Sequence, residues 1–256
     1  LRKTGIRSII NGPITYTIDG APLVGPIPGK RNAYCIIGLR AGLGEGGGHG
    51  WLLAQQIVHG EACYDTWCID PRRFTSHANV EMTSLKAIED YQNEFRFHFP
   101  HEHRPAGRPA KTTSLTSVLA AENAEFTVVN GWERVEYIKP SADFHPSLSF
   151  HFDETFDIVA GEIKNVRDNV GLCEVNGFNR FEITGLSAEN FIDRMFCGNI
   201  THKPGRVGLG YLLNDFGMVK SEATIANIPA SDRGSTRIWY GSAAASEFHD
   251  MDWLTQ

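Results

Sequence analysis

The chain reads as α/β in its first part and α+β in its remainder, and three observations carry that reading. An apolar run at 33–39 feeds a glycine-dense stretch, 38–50, and then an amphipathic segment, the strand–turn–helix order of an α/β unit. Past Ser114 the pairs Asn130-Gly131 and Asn176-Gly177, and the stretch 214–217, punctuate alternating apolar segments in the manner of hairpins. Helical spacing recurs between these hairpins without strict alternation, as α+β domains require.

Bulk properties bound the function. With 256 residues, 41% hydrophobic and 21% charged, the chain can bury a substantial core in one or two domains. A net charge of −6 gives no electrostatic reason to expect nucleic acid or an anionic membrane as partner. No apolar run approaches the roughly 18 residues of a membrane span. Cys35, Cys63, Cys68, Cys173 and Cys197 are odd in number and form no C-x-x-C pair, which suggests neither a disulfide framework nor a zinc knuckle and fits a reducing compartment. Leu1 in first place and a last helix that stops partway read as cuts through a longer protein.

Taken in order, 6–10 and 14–18 read as strands joined by Asn11-Gly12-Pro13, 19–32 as a loop, and 33–39 as a buried strand. A helix is expected from about 47 to 59, with Trp51, Leu52, Ile57 and Val58 as burial candidates and Gly60 as its stop. Residues 82–97 form the next helix. The histidine- and proline-rich stretch 98–111 is the best internal boundary; His98, His101 and His103 are read as part of a solvated loop rather than as metal ligands, since only Glu102 accompanies them. Then follow a helix at 114–122, a strand pair over 126–138, a helix at 154–168 and a strand pair over 173–185. Ser187 is placed to cap a helix at 188–196, 206–227 is a hairpin, 236–240 a strand, and Ser242 the cap of the last helix.

The glycine-dense stretch is the first candidate site. Glycine lets another molecule approach the backbone, and a helix start offers unpaired N–H groups and the positive end of its dipole, so the pair suits an anionic or electron-rich ligand. It spells neither a Walker A loop nor G-x-G-x-x-G with a following acidic residue. The other reading is a flexible surface loop before an ordinary packed helix.

Several segments in order resemble one family. "NGPITYTIDGAPLVGP", "IIGLRAGLGEGGGHGWLLAQQIVHGE" and "DPRRF", followed by "GWERVEYIKP", "VGLCEVNGFNRFEITG" and "VGLGYLLNDFGMVKSEATIAN", resemble the dimethylglycine and sarcosine dehydrogenases. In that family an FAD-dependent, glycine oxidase-like domain is fused to an aminomethyltransferase-like folate-binding domain. The resemblance implies three parts. Residues 1–70 are the end of the FAD-dependent oxidoreductase domain, 71–110 a central linker domain, and 111–256 the first part of the folate-binding domain. The FAD-contacting positions it implies are Gly42, Leu43, Gly44, Glu45, Gly46 and Gly47, with Asp19, Pro22 and Gly25 in the segment beneath the ring. The folate positions are Glu222, as a catalytic carboxylate, with Tyr240 and Ser242 lining the same pocket; Arg206 reads as a solvated hairpin residue, and the bland reading of Glu222 is a strand residue paired with Lys220.

The implied reaction is oxidative demethylation of an N-methylated glycine, with the one-carbon unit passing to tetrahydrofolate or leaving as formaldehyde. FAD and tetrahydrofolate are the implied cofactors, a small methylated amine the partner, and the cytoplasm, or the mitochondrial matrix in a eukaryote, the location. The electron acceptor is left open. Two alternatives stand beside this: a folate-dependent transferase acting on another amine, and a non-catalytic fragment that holds neither cofactor well. The family's G-x-G-x-x-G turn and its FAD-linking histidine do not occur in this sequence, which favours an inactive fragment.

Overall fold

A computed structural model describes residues 4–198, 203–229 and 236–255. The chain divides into two compact units, one of residues 1–72 and 78–92, the other of 73–77 and 93–256.

In the first unit, β1 (Leu23–Pro26) pairs antiparallel with β2 (Tyr34–Ile37), Leu23 opposite Ile37 and Pro26 opposite Tyr34. Helix α1 (Gly42–His59) packs on this ribbon, and α2 (Val80–Asn93) closes the unit. Val24 is fully buried, with Gln56 of α1 and Ile69 also inside. Asp70, 3% exposed, is gripped by Arg72 through both of its oxygens, Nη2 at 2.8 Å and Nε at 3.0 Å. Arg40 joins Asp90 of α2 at 2.6 Å while its guanidinium lies over the Tyr16 ring, which meets Tyr91 edge-on.

Several expectations fail here, among them the buried strand at 33–39: β2 covers only Tyr34–Ile37 and leaves Tyr34, Ile36 and Ile37 exposed. Residues 6–10 and 14–18 are not strands, and Ile6, Ile9 and Ile10 stand exposed. An apolar pattern makes a strand only where a neighbour accepts its ladder bonds, and the short β1–β2 ribbon pairs with itself alone among the described residues. The strand β1 instead forms within 19–32, which reads as loop. Helix α1 also begins at Gly42, five residues before its expected start, so the glycine-dense stretch is the helix's own first half. Gly60 does end it, in the left-handed conformation at φ 86° with its N–H on the Gln56 carbonyl. Trp51, Ile57 and Val58 remain more than half exposed.

The second unit opens with α3 (Thr116–Ala121) and the hairpin β3 (Ala124–Val129) and β4 (Trp132–Ile138). Asn130 and Gly131 turn it with φ of 50° and 81°, the signs a two-residue hairpin turn needs. The stretch 98–111 is not merely solvated. Arg108 drives into this hairpin and pairs with the buried Glu133 at 2.6 Å, and His101 and His103 both close on Glu136, at 2.7 and 2.8 Å. A carboxylate pointing from a strand is a strong anchor for a loop rich in cationic and imidazole groups.

Helix α4 (Glu154–Asp168) is capped by Asp153, whose carboxylate accepts from the Thr155 amide at 2.9 Å. An antiparallel five-stranded sheet follows, in spatial order β5 (Phe178–Thr184), β9 (Arg237–Ala243), β8 (Val219–Ile228), β7 (Val207–Leu213), β6 (Phe196–Cys197). Residues 173–177 do not form the strand expected of them. The β7–β8 turn rests on Asn214, whose carboxamide oxygen accepts the amides of Phe216 and Met218. Helices α5 (Ala188–Met195) and α6 (Glu247–Thr255) cover one face of the sheet. The core there joins Ile192, Phe196, Leu212, Ala223, Ile225, Ile238 and Tyr240, with Trp253 and Leu254 of α6 against it. Ser187 makes no capping bond with its side chain, and Ser242 lies within β9 rather than at a helix start.

At the heart of this core sits a carboxylate. Asp250 of α6 is fully buried and accepts from the Tyr240 phenol at 2.6 Å, from the Ser242 hydroxyl, and from Ser221 at 3.4 Å, while His249 Nδ1 lies 3.0 Å from its other oxygen. Asn179 of β5 supports the set by donating to Ser242 at 3.1 Å. Removing the acceptor would strand several buried hydroxyls at once. Asp250→Ala is therefore expected to lower unfolding free energy by about 3 kcal/mol or more, and Asp250→Asn by less, as read by urea denaturation of the chain. Equal stability of Asp250→Ala and the parent would contradict this.

Candidate functional site

The two faces of the five-stranded sheet differ in kind. Along β8, Ser221, Ala223, Ile225 and Asn227 point inward and are buried, whereas Glu222 points outward and is exposed. The outward row continues across the strands by register. Tyr211 stands opposite Glu222, and Leu209 opposite Thr224, whose other neighbour is Gly241. Val207, Leu209 and Tyr211 are 65%, 50% and 36% exposed, so this face lies open among the described residues.

Trp239 and Gly241 share that outward face, and the indole lies flat along the strand. A Cβ placed on Gly241 would fall 2.4 Å from Trp239 Cη2 and 2.8 Å from its Cζ3. Glycine is thus required for the ring to lie down, and the result is an aromatic floor in the same layer as Thr224 and Glu222. At the edge strand β5, Arg180 occupies the position opposite Gly241. A cavity of about 250 Å³ opens there, lined in part by Trp132, Asn179, Arg180 and Glu247. A flat aromatic surface bordered by a carboxylate and a guanidinium suits a planar heteroaromatic ligand with both donors and acceptors.

Tyr240 does not join this site. It pairs with Ile225, so it lies on the inward face, 0% exposed, in contact with Phe181 and Phe196. Glu222 and Tyr240 therefore stand on opposite faces of the sheet, and Ser242 stays with Tyr240 in the Asp250 network. Arg206 precedes β7, and Lys220 places its ammonium 4.4 Å from the Trp253 ring centre. The residue that sequence reasoning missed is Asp250. Its signal was there: Asp250, Trp253 and Leu254 are spaced i, i+3, i+4, which puts a carboxylate at the head of an apolar helix stripe.

In the first unit, Gly42, Leu43, Gly44, Glu45, Gly46 and Gly47 form the first turns of α1. A Cβ added at Gly42, Gly44, Gly46, Gly47 or Gly48 would meet nothing within 4 Å. Internal packing therefore gives no reason for glycine at these positions, each of which weakens the helix by about 0.5–1 kcal/mol relative to alanine. Asp19 turns the chain by accepting the Ala21 amide at 3.1 Å, and Gly25 lies where a Cβ would come within 3.3 Å of both Gln56 Oε1 and Pro71. Buried Gln56 Oε1 has no hydrogen-bond partner among the described residues.

Comparison with known proteins agrees with this architecture. Residues 115–256 match the family described as GCVT N-terminal domain, and residues 59–113 match the FAD dependent oxidoreductase central domain. The chain belongs to the GCVT N-terminal domain family. It is 32% identical over 257 residues to dimethylglycine dehydrogenase, mitochondrial, of Rattus norvegicus, covering 100% of this chain and 29% of that protein. It is 27% identical to the human sarcosine dehydrogenase, mitochondrial, over 92% of this chain and 29% of that one. The pyruvate dehydrogenase phosphatase regulatory subunit, mitochondrial, of Mus musculus is also 27% identical, over 89% and 27%. The chain thus spans less than a third of the length of these relatives. No helix among the described residues is long and apolar enough to cross a membrane.

Two tyrosines link this geometry to pH. Burial, with the Asp250 hydrogen bond and charge next, pushes the Tyr240 phenol well above its usual value, and burial followed by the charges of Glu125, Glu136 and Asp153 pushes Tyr137 up to about 12. Above about pH 10 an unfolded tyrosine releases its proton while these two keep theirs. The folded state then binds more protons, so stability falls as pH rises. The urea midpoint should drop from about pH 10 upward, and Tyr240→Phe, though less stable at pH 7, should show a shallower drop. An unchanged slope in Tyr240→Phe and Tyr137→Phe alike would refute the assignment.

Proposed function

We propose that this chain is the join between the flavin and folate halves of a dehydrogenase that demethylates an N-methylated glycine, dimethylglycine or sarcosine. The observation that carries the reading is the order of the two family matches along one chain, at 59–113 and 115–256. On this reading 1–70 ends the FAD-dependent oxidoreductase domain, 71–110 is the central part, and 111–256 begins the folate-binding domain. FAD, when bound, accepts a hydride equivalent from the N-methyl group, and tetrahydrofolate takes up the one-carbon unit.

The residues present fit both groups. The start of α1 combines the N–H groups of Gly42 and Leu43, ahead of the first intrahelical bonds from Gly44 and Glu45 to the Ala41 carbonyl, with the positive end of a helix dipole and a surface that no side chain among the described residues fills at the glycines. They would hold negative charge on the flavin ring, as an oxyanion hole holds an alkoxide. On the open sheet face, Trp239 supplies a stacking floor and Glu222 an acceptor for ring N–H groups or a countercharge for a cationic one-carbon donor. Tyr240, from the opposite face, acts through position: its bond to Asp250 fixes the strand that bears Trp239. The location we assign is the mitochondrial matrix in a eukaryote, which the relatives named mitochondrial support, and the cytoplasm otherwise.

A second reading is favoured by the likeness to a phosphatase regulatory subunit. The same architecture would then bind its ligands without turning over a methylated amine, or serve a folate-dependent transfer from another amine.

The test is the visible spectrum of the protein at the length of its relatives. A flavin band bleached by dimethylglycine or sarcosine is expected; a band that ignores both selects the second reading, and no flavin at all defeats the first. Gly44→Ala and Gly46→Ala sharpen the test. They should raise the stability of the chain by about 0.5–1 kcal/mol each while lowering its flavin content. Full flavin content in both variants would remove α1 from the site.

A further inference from the structure

A second cavity, of about 650 Å³, lies in the folate-side unit between the loop at Pro100, strand β4 and the start of α4. Its walls are of two kinds. Tyr137, Phe150, Phe152 and Phe156 supply aromatic surface, and Glu136 and Asp153 supply carboxylates. Phe152 and Phe156 meet at 4.6 Å between ring centres, and Phe150 rests on Phe99 at 4.7 Å. Packing leaves these rings turned outward: Phe150, Phe152 and Phe156 are 66%, 85% and 53% exposed. Three phenylalanines held open to water around one cavity mark a binding surface more readily than a core.

Carboxylates and imidazoles share the polar wall: His101 and His151 line the cavity beside Glu136 and Asp153, and His101 and His103 both close on Glu136. No lysine or arginine is among the residues lining the cavity. Glu136 Oε1 contacts His101 Nδ1, but its buried Oε2, though 2.8 Å from His103 Nε2, receives no well-directed hydrogen bond. Asp153 spends Oδ1 on the Thr155 amide and hydroxyl, and its Oδ2 accepts no hydrogen bond among the described residues. The raised Tyr137 phenol registers the same negative field, second to its burial.

Such a cavity disfavours anions, and a neutral apolar guest would leave Asp153 Oδ2 without a partner. It does not suit a bare metal ion either, since no cluster of histidine, cysteine or carboxylate ligands forms among the described residues. A cation with an apolar skin satisfies both walls at once, through the negative faces of the rings and the carboxylate charges. We propose that this cavity binds an alkylated ammonium ion that carries no carboxylate of its own. Its size falls in the range of about 300–1,000 Å³ typical of small-molecule sites. The site is independent of the flavin and folate reading, and it differs from that reading's substrates, whose carboxylate the acidic wall would repel.

The experiment is a calorimetric titration of the 256-residue chain with tetramethylammonium chloride. Saturable one-to-one binding is expected, with tert-butanol and trimethylglycine each about tenfold weaker or more. Asp153→Asn removes the charge but keeps a side chain that caps helices equally well, so α4 should stay folded while affinity falls about tenfold. Phe156→Leu keeps an apolar side chain, smaller and without the ring face, and should fall similarly. The proposal is overturned by an absence of saturable binding, by equal affinity for tert-butanol, or by wild-type affinity in both variants.

Discussion

One buried carboxylate decides which way the five-stranded sheet faces. Asp250 reaches from α6 to hydroxyls on β8 and β9, and so fastens a helix to two interior strands of a five-stranded sheet. A charge held at 0% exposure survives only where several donors converge on it. That convergence places Ser221, Tyr240 and Ser242 on the helix-covered side. By the two-residue period of a strand, Glu222, Trp239 and Gly241 must then face the other way. The open face, with its flat indole and its carboxylate, follows from the constraint on the closed one.

Much of this architecture was legible where local chemistry decides. The β3–β4 and β7–β8 hairpins formed where Asn-Gly and Asn214 turn chemistry placed them, and α4 occupies its expected span because Asp153 caps it. The strands foreseen at 6–10 and 14–18 did not form, since an apolar pattern specifies a face and not a partner. The separation of Glu222 from Tyr240 was hidden for a related reason. They lie on neighbouring strands, and only the pairing of Tyr240 with Ile225 tells which side of the sheet each takes. Sequence proximity to the same hairpin suggested one pocket; register made two environments.

The glycines of α1 teach the opposite lesson. Their density reads as a loop, yet the backbone there is helical from Gly42 onward. Glycine lowers helix propensity without forbidding it, and an eighteen-residue helix tolerates a weak first half when its second half, including Gln56, packs against a ribbon. What remains is a helix start whose glycines meet nothing among the described residues, a shape whose stability cost makes sense where a ligand must come close to the backbone.

On the proposed reading the two faces of the sheet divide labour, the covered face holding the fold and the open face holding the ligand. The most direct measurement is equilibrium dialysis of a reduced folate against the protein at its relatives' length, wild type beside Glu222→Gln, with unfolding followed on the same samples. Glu222→Gln is expected to lose folate affinity by about tenfold or more while its unfolding midpoint stays at the wild-type value, because the side chain is exposed on the open face. Undiminished folate affinity in Glu222→Gln would contradict it.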